Sequence, residues 1–313
     1  MSFSGHCRAC LLLASALCAS CEGGRAEQTG SAMLLFVSIP PQKYFVERIA
    51  GPHAQIEVLV GPGQSHHTYE ATPRQIAGLH RARAYFRIGV PFENGLVEKI
   101  GASMPGLAII DTSAGVSLLD MKEECDEPGE TAEEHAHEGG KDPHIWLDPK
   151  RVQFQAATIA ESLTRFDPAH ANEYAANLAA FRRDLDATDA KIRRQLAPFR
   201  GRAFYVFHPA YGYFADTYGL KQVAVETGGK EPSLNGLNRL IRSARQSGTK
   251  VIFVQPQFPT AAANAVAEAI DGRVVPVDPL AIDYLRNLEF MADQIAAALM
   301  PTVKWISSRE AIP

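Results

Sequence analysis

From Ala32 onward the chain alternates short apolar runs with amphipathic stretches of helical period. Met33–Ile39, Ile56–Val60, Ala84–Ile88 and Leu107–Ile110 read as strands, with helices over Gln42–Ile49 and Phe92–Ile100 between them. The rhythm restarts at Phe204–Phe207 and continues through strands at Lys221–Val225, Val251–Val254 and Val274–Val277. Its helices run through Phe214 and Tyr218, then over Leu237–Gln246, Ala262–Ile270 and Tyr284–Leu299. Strands that are apolar along their whole length, separated by helices, predict an α/β fold of two lobes, each a parallel sheet flanked by helices. Between them lies a long helical region, broken near Asp167-Pro168 and resuming through Gln195. Tyr174, Leu178, Phe181, Leu185 and Ile192 line one of its faces, so it reads as a long rigid backbone helix bracing the lobes. The expected organisation is an export signal and tether over 1–31, a first lobe over 32–166, a linking helix over 167–198 and a second lobe over 199–313. The apolar pattern collapses only over 121–141, an acidic stretch carrying Glu133, Glu134, His135, His137 and Glu138 that reads as an exposed loop able to hold metal loosely.

A length of 313 residues fits two lobes, and 46% hydrophobic residues fit a globular protein. A net charge of −4 gives no electrostatic case for nucleic acid or an anionic membrane surface and leaves a small or cationic ligand. At the amino end, Arg8, the leucine-rich run Cys10–Cys18 and the small residues Ala19 and Ser20 form an export signal, which implies a periplasmic or other extracytoplasmic location. Ala19-Ser20-Cys21 resembles a lipoprotein processing site, with Cys21 the residue that would carry lipid, although Cys18 stands where Leu is usual. Four of the five cysteines lie in or beside this segment; Cys125 alone cannot form an internal disulfide.

Candidate chemistry collects where strands end, the place at which parallel sheets bind ligands. Val58-Leu59-Val60 runs through a Gly-Pro-Gly turn into His66-His67; Tyr205-Val206-Phe207 runs into His208; Val274–Val277 runs into Asp278. His144 sits between the two Asp-Pro pairs of Asp142–Pro149, beside Ile145, Trp146 and Leu147, in a segment expected to be short, extended and pinned in the core. Three imidazoles and a carboxylate make a four-coordinate N/O set that suits Zn2+ ahead of Mn2+. Each residue also has an ordinary structural use. Either His66 or His67 could be the ligand, His208 before Pro209 could start a helix, and Asp278 before Pro279 could form a turn or cap. Glu226 and Glu231 could orient imidazoles from behind. His6, His53, His80 and His170 read as surface or local structural residues.

Pro62–Pro73, Asp142–Pro149, His208–Phe214 with Tyr218-Gly219-Leu220, and Asp278-Pro279-Leu280 resemble, in order, the four metal-ligand motifs of the zinc/manganese solute-binding proteins of bacterial ABC transporters. The resemblance runs from about Phe36 to the carboxyl end. It implies a monomeric, non-enzymatic receptor that holds a metal ion between its lobes and delivers it to an ABC permease in the cytoplasmic membrane. It also implies His67 as the first ligand, with His66 where Pro is usual, followed by His144, His208 and Asp278. A histidine rather than Glu at the third position favours zinc over manganese, some zinc members leave the fourth position to water, and the His-rich loop is short for the family. The competing readings are a manganese-binding or adhesin-type relative and a zinc hydrolase with Glu70 as its base. Imidazole ligands imply proton competition below about pH 6.

Overall fold

The computed structural model describes residues 32–121, 140–226 and 233–300; the expected export signal with Cys21, most of the acidic His loop with Cys125, and Glu231 lie outside the described residues. Elements are numbered along the described chain. The first sheet contains β1 (Met33–Val37), β2 (Ala54–Val58), β3 (Ala84–Arg87) and β4 (Ala108–Asp111), in the order β2-β1-β3-β4 with every pair parallel. The second contains β5 (Ala203–Val206), β6 (Lys221–Ala224), β7 (Val251–Val254) and β8 (Arg273–Pro276), in the order β6-β5-β7-β8, again all parallel. The same strand order in both lobes gives each a switch point between its first and third strands. All eight strands fall at or within a few residues of the runs expected from the apolar pattern.

The first lobe carries α1 (Pro40–Ala50), α2 (Pro73–Leu79) and α3 (Glu93–Ser103). The connection onward is α4 (Pro149–Phe166) and α5 (Ala171–Leu196), interrupted at Asp167-Pro168 where the sequence signals a break. The second lobe adds α6 (Gly212–Tyr218), α7 (Leu234–Gln246), α8 (Ala261–Ala269) and α9 (Tyr284–Leu299). With 26 residues, α5 is roughly 39 Å long. Its buried face, Tyr174, Phe181, Leu185, Ile192 and Leu196, packs against α1 and α4 on one side and α9 on the other. One apolar core therefore continues from Leu35 and Phe45 through Trp146 and Phe181 to Phe204, Tyr284 and Leu299.

Polar ties reinforce that core across the lobes. Trp146 Nε1 donates to the Pro279 carbonyl at 2.9 Å, and the Tyr284 hydroxyl donates to the Trp146 carbonyl at 2.6 Å. The Tyr213 hydroxyl donates to the Asp142 carbonyl at 2.7 Å. All of these residues are buried, so the connection between lobes is a packed brace rather than a pair of flexible strands. Among the described residues no helix is long and apolar enough to cross a membrane.

Candidate metal centre

The turn after β2 presents the first pair of histidines. Gly63 adopts φ 71°, a left-handed conformation open to glycine, while Gln64 Oε1 accepts from the Gly61 amide at 2.7 Å and closes the turn. Farther on, α2 fixes the exit of the same loop. Thr72 and Gln75 form a capping box, with Pro73 in the first turn, and Gln75 Nε2 donates to the Leu59 carbonyl at 2.8 Å. Loop entry and exit are thus tied to the end of β2, and His66 is 2% exposed.

His144 stands at the start of a 3-10 turn, Ile145–Leu147, and not on the extended segment expected of it. The two Asp-Pro pairs account for the difference. Asp142 Oδ1 accepts from the His144 amide at 2.9 Å and bends the chain there; Asp148 caps α4 by accepting from the Lys150 amide at 2.8 Å, with Pro149 opening the helix. The segment is pinned in the core as expected, with His144, Ile145 and Trp146 all at 0% exposure. The stems of the acidic loop close beside it, through a bridge between Asp120 and Lys141. From the second lobe, β5 delivers His208, whose ring stacks on Phe258 at 4.6 Å between centroids.

These elements bring the imidazoles together. His66, His67 and His144 each offer a ligand atom within 4.8 Å of the others. The His208 ring lies 4.6 Å from that of His67 and 5.5 Å from that of His144, centroid to centroid. Carboxylates stand behind two of the rings: Asp142 Oδ1 is 2.7 Å from His144 Nδ1, and Glu226 Oε1 is 3.3 Å from His208 Nδ1. With Nδ1–H directed at a carboxylate, Nε2 carries the lone pair and faces inward. His67 Nε2 and His208 Nε2 are buried without a hydrogen-bond partner in the protein, a costly state for a polar atom unless a ligand uses it. His144 Nε2 meets His66 Nε2 at 3.1 Å, while His66 Nδ1 is buried without a partner.

Burial, with the neighbouring imidazoles, disfavours the charged forms of His66, His67 and His208. Desolvation, followed by the nearby His144 and His208, lowers His67 from 6.5 to about 3. Desolvation also pushes His66 well below the usual histidine range, with His144, His67 and His208 acting in the same direction. His208 is lowered by desolvation against the opposing pull of Glu226. These three rings therefore take up protons less readily than solvated imidazoles.

Asp278 follows β8 in the second lobe. Its Oδ1 accepts from Gln257 Nε2 at 2.7 Å and from the Leu280 amide at 2.9 Å, the turn-forming use that an Asp-Pro pair suggests. Glu226 takes the orienting place expected for it, and Glu70 is exposed. One contributor was not singled out from sequence, Asp142 as the partner of His144; His66, weighed there as an alternative to His67, lies buried in the cluster beside it. The spacing Asp-Pro-His was a usable signal for Asp142, since an Asx turn folds the carboxylate back onto the residue two positions on. In the first lobe, the switch point between β1 and β3 is filled by Glu93. This fully buried carboxylate accepts from the Ile88 and Gly89 amides at 2.8 and 2.7 Å, so ligand chemistry is displaced to the β2 loop.

Two parallel-sheet lobes on a shared helical core, with imidazole nitrogens turned inward from both, define a two-lobed solute receptor of the metal-binding class. The chain belongs to the ZnuA family, described as zinc-uptake complex component A, periplasmic, which matches residues 35–298. It is similar to a crystal structure of ZnuA at 39% identity, covering 86% of this chain and 100% of that one with a TM-score of 0.79. A zinc-bound ZnuA lacking residues 138–173 of its own numbering superposes with a TM-score of 0.78 at 39% identity, covering 87% and 99% of the two chains. The high-affinity zinc uptake system protein ZnuA of Paracoccus denitrificans is 30% identical over 287 residues, 84% of this chain and 87% of the relative.

Proposed function

We propose that the protein captures one Zn2+ between its lobes in the periplasm and surrenders it to an ABC permease of the cytoplasmic membrane. The observation that carries this reading is the set of inward-facing imidazole nitrogens, two of them buried and unpartnered, contributed by both lobes. In the proposed assignment His67, His144 and His208 bind through Nε2, and Asp278 completes a four-coordinate shell. Asp142 and Glu226 fix the tautomers of His144 and His208 and supply negative charge behind neutral ligands. His67 enters the reaction without a proton to lose at neutral pH, so capture at this ligand is not coupled to proton release.

A second assignment for the fourth position, His66, is favoured by its 3.1 Å approach to His144 Nε2. Asp278→Asn and His66→Asn separate the two: the true ligand's replacement weakens zinc binding by at least about tenfold, the other's by much less. The lobes proposed as rigid units are 32–166 and 199–313, with 167–198 as the brace. Release then requires His208 to part from His67 and His144 while the common core holds. Tethering through a lipidated Cys21, where it occurs, would keep the receptor at the membrane surface without a spanning helix. A binding role is preferred to hydrolysis because Glu70, the base suggested by sequence, is exposed, and the inward face of the cluster is imidazole.

The test is competition titration of metal-free protein with Zn2+ and Mn2+ in the presence of a chromophoric chelator. One equivalent of zinc bound in strong preference to manganese supports the reading; tighter manganese binding, or no stoichiometric binding of either, overturns it.

A further inference from the structure

A second group of metal-binding side chains lies at the other end of the first sheet. His53 ends the turn that leads into β2, whereas the cleft histidines follow that strand's carboxyl end, so the five residues of β2 alone separate the two places by roughly 16 Å. Across from His53, the break between α4 and α5 presents His170, and the first turn of α5 presents Glu173. Ligand atoms of His53, His170 and Glu173 lie within 4.8 Å of one another. The two imidazoles stack face to face, with centroids 3.8 Å apart and planes inclined by 25°, so their rings are held close together.

The surroundings repeat the logic of the cleft. His170 Nδ1 is 2.6 Å from Asp167 Oδ2, and that carboxylate is itself held by the Tyr174 hydroxyl at 2.7 Å. This carboxylate–imidazole pairing assigns the proton to Nδ1 and leaves His170 Nε2 as a donor atom. His53 Nε2 already meets Glu173 Oε2 at 2.8 Å, the separation of two atoms that can share a proton or a metal ion. Two imidazole nitrogens and one carboxylate oxygen are a three-ligand set for a late first-row divalent ion, with remaining positions open to water. In contrast to the cleft, the group is partly exposed, so its ion would exchange quickly and bind more weakly.

We propose that His53, His170 and Glu173, with Asp167 orienting His170, form a second, weaker Zn2+ site on the face of the first lobe remote from the cleft. Filling it links the α1–β2 turn to the junction of α4 and α5, and gives the receptor a place to hold an additional ion when zinc is plentiful.

The test is equilibrium dialysis of the full chain against Zn2+ over a range of concentrations, with bound metal counted by mass spectrometry. All proteins carry His135→Ala and His137→Ala so that the acidic loop is silent. The further change His53→Ala/His170→Ala is expected to remove one equivalent, the weaker one, while the tight equivalent keeps its affinity. Glu173→Gln alone, which leaves both imidazoles in place, is expected to weaken the second equivalent at least threefold. Equal stoichiometry and equal isotherms with and without His53 and His170 would overturn the proposal and leave these residues as a hydrogen-bonded surface pair. Loss of the tight equivalent together with the weak one would also overturn it, by showing the two places are not separate sites.

Discussion

Acid should destabilise the metal-free receptor through the cleft imidazoles themselves. His67 titrates near 6.5 when solvated and at about 3 in the fold, chiefly because burial penalises its charged form. Between those values the unfolded chain binds a proton that the native chain refuses, so folding stability is greatest above pH 6.5 and falls as pH drops toward 3. At pH 5 an unfolded histidine is almost fully protonated while native His67 stays neutral, a difference of about 2 kcal/mol relative to pH 8. His66 and His208 are shifted in the same direction and add losses of the same sign. The assay is urea denaturation of chelator-treated protein at pH 8 and pH 5, comparing the wild type with His67→Asn, which keeps a polar side chain that cannot titrate. The expected outcome is a wild-type loss of more than about 2 kcal/mol, reduced by about 2 kcal/mol in the variant. A wild-type stability that is flat across this range, or a variant that retains the full loss, would refute the reasoning, because it would mean that these rings are solvated or protonated in the native cluster.

Other consequences follow from the same geometry. Asp142→Asn removes the charge behind His144 Nδ1 and is expected to weaken zinc binding by roughly 10–100-fold in chelator competition. Gly212→Ala should have a smaller effect of the same sign, about tenfold, because a Cβ there would stand 2.6 Å from Asp142 Oδ2 and turn the buried carboxylate away from His144; unchanged affinity would show that Asp142 has room to move. His144→Ala should cost more affinity than any change to a residue behind the ligands, hence more than roughly 100-fold, whereas His135→Ala in the acidic loop should leave tight binding within about threefold. Equal losses would move the site to the loop.

Much of this was legible in the sequence because the physics was local. Strands buried on both faces, such as Val251–Val254, read as unbroken apolar runs, and Asp167-Pro168 stops a helix whatever surrounds it. His144, His208 and the His66-His67 pair could be proposed because strand ends and Asp-Pro turns aim side chains predictably, whereas the choice of His67 over His66 rested on the family resemblance. Legibility failed where position depends on distant packing. That His66 is buried against His144 and Trp146 follows from how the β2 loop folds over the 3-10 turn, which no spacing reports. The acceptor role of Asp278 toward Gln257 depends on two loops of the second lobe meeting. α2 was hidden for a different reason: at seven residues it is too short to show a period, and only its Thr-Pro-x-Gln start marks it. His53, His170 and Glu173 look unrelated in the sequence, being 117 and 120 positions apart from His53, and meet only because α5 runs back past the start of β2.

The most direct measurement is a crystal structure of the zinc-loaded protein with anomalous data collected at the zinc edge. A single strong peak in the cleft, with Nε2 of His67, His144 and His208 each at about 2.0–2.1 Å, is the predicted result. A peak whose ligands exclude both His208 and Asp278, so that one lobe alone holds the ion, would contradict capture between lobes and the transport role built on it.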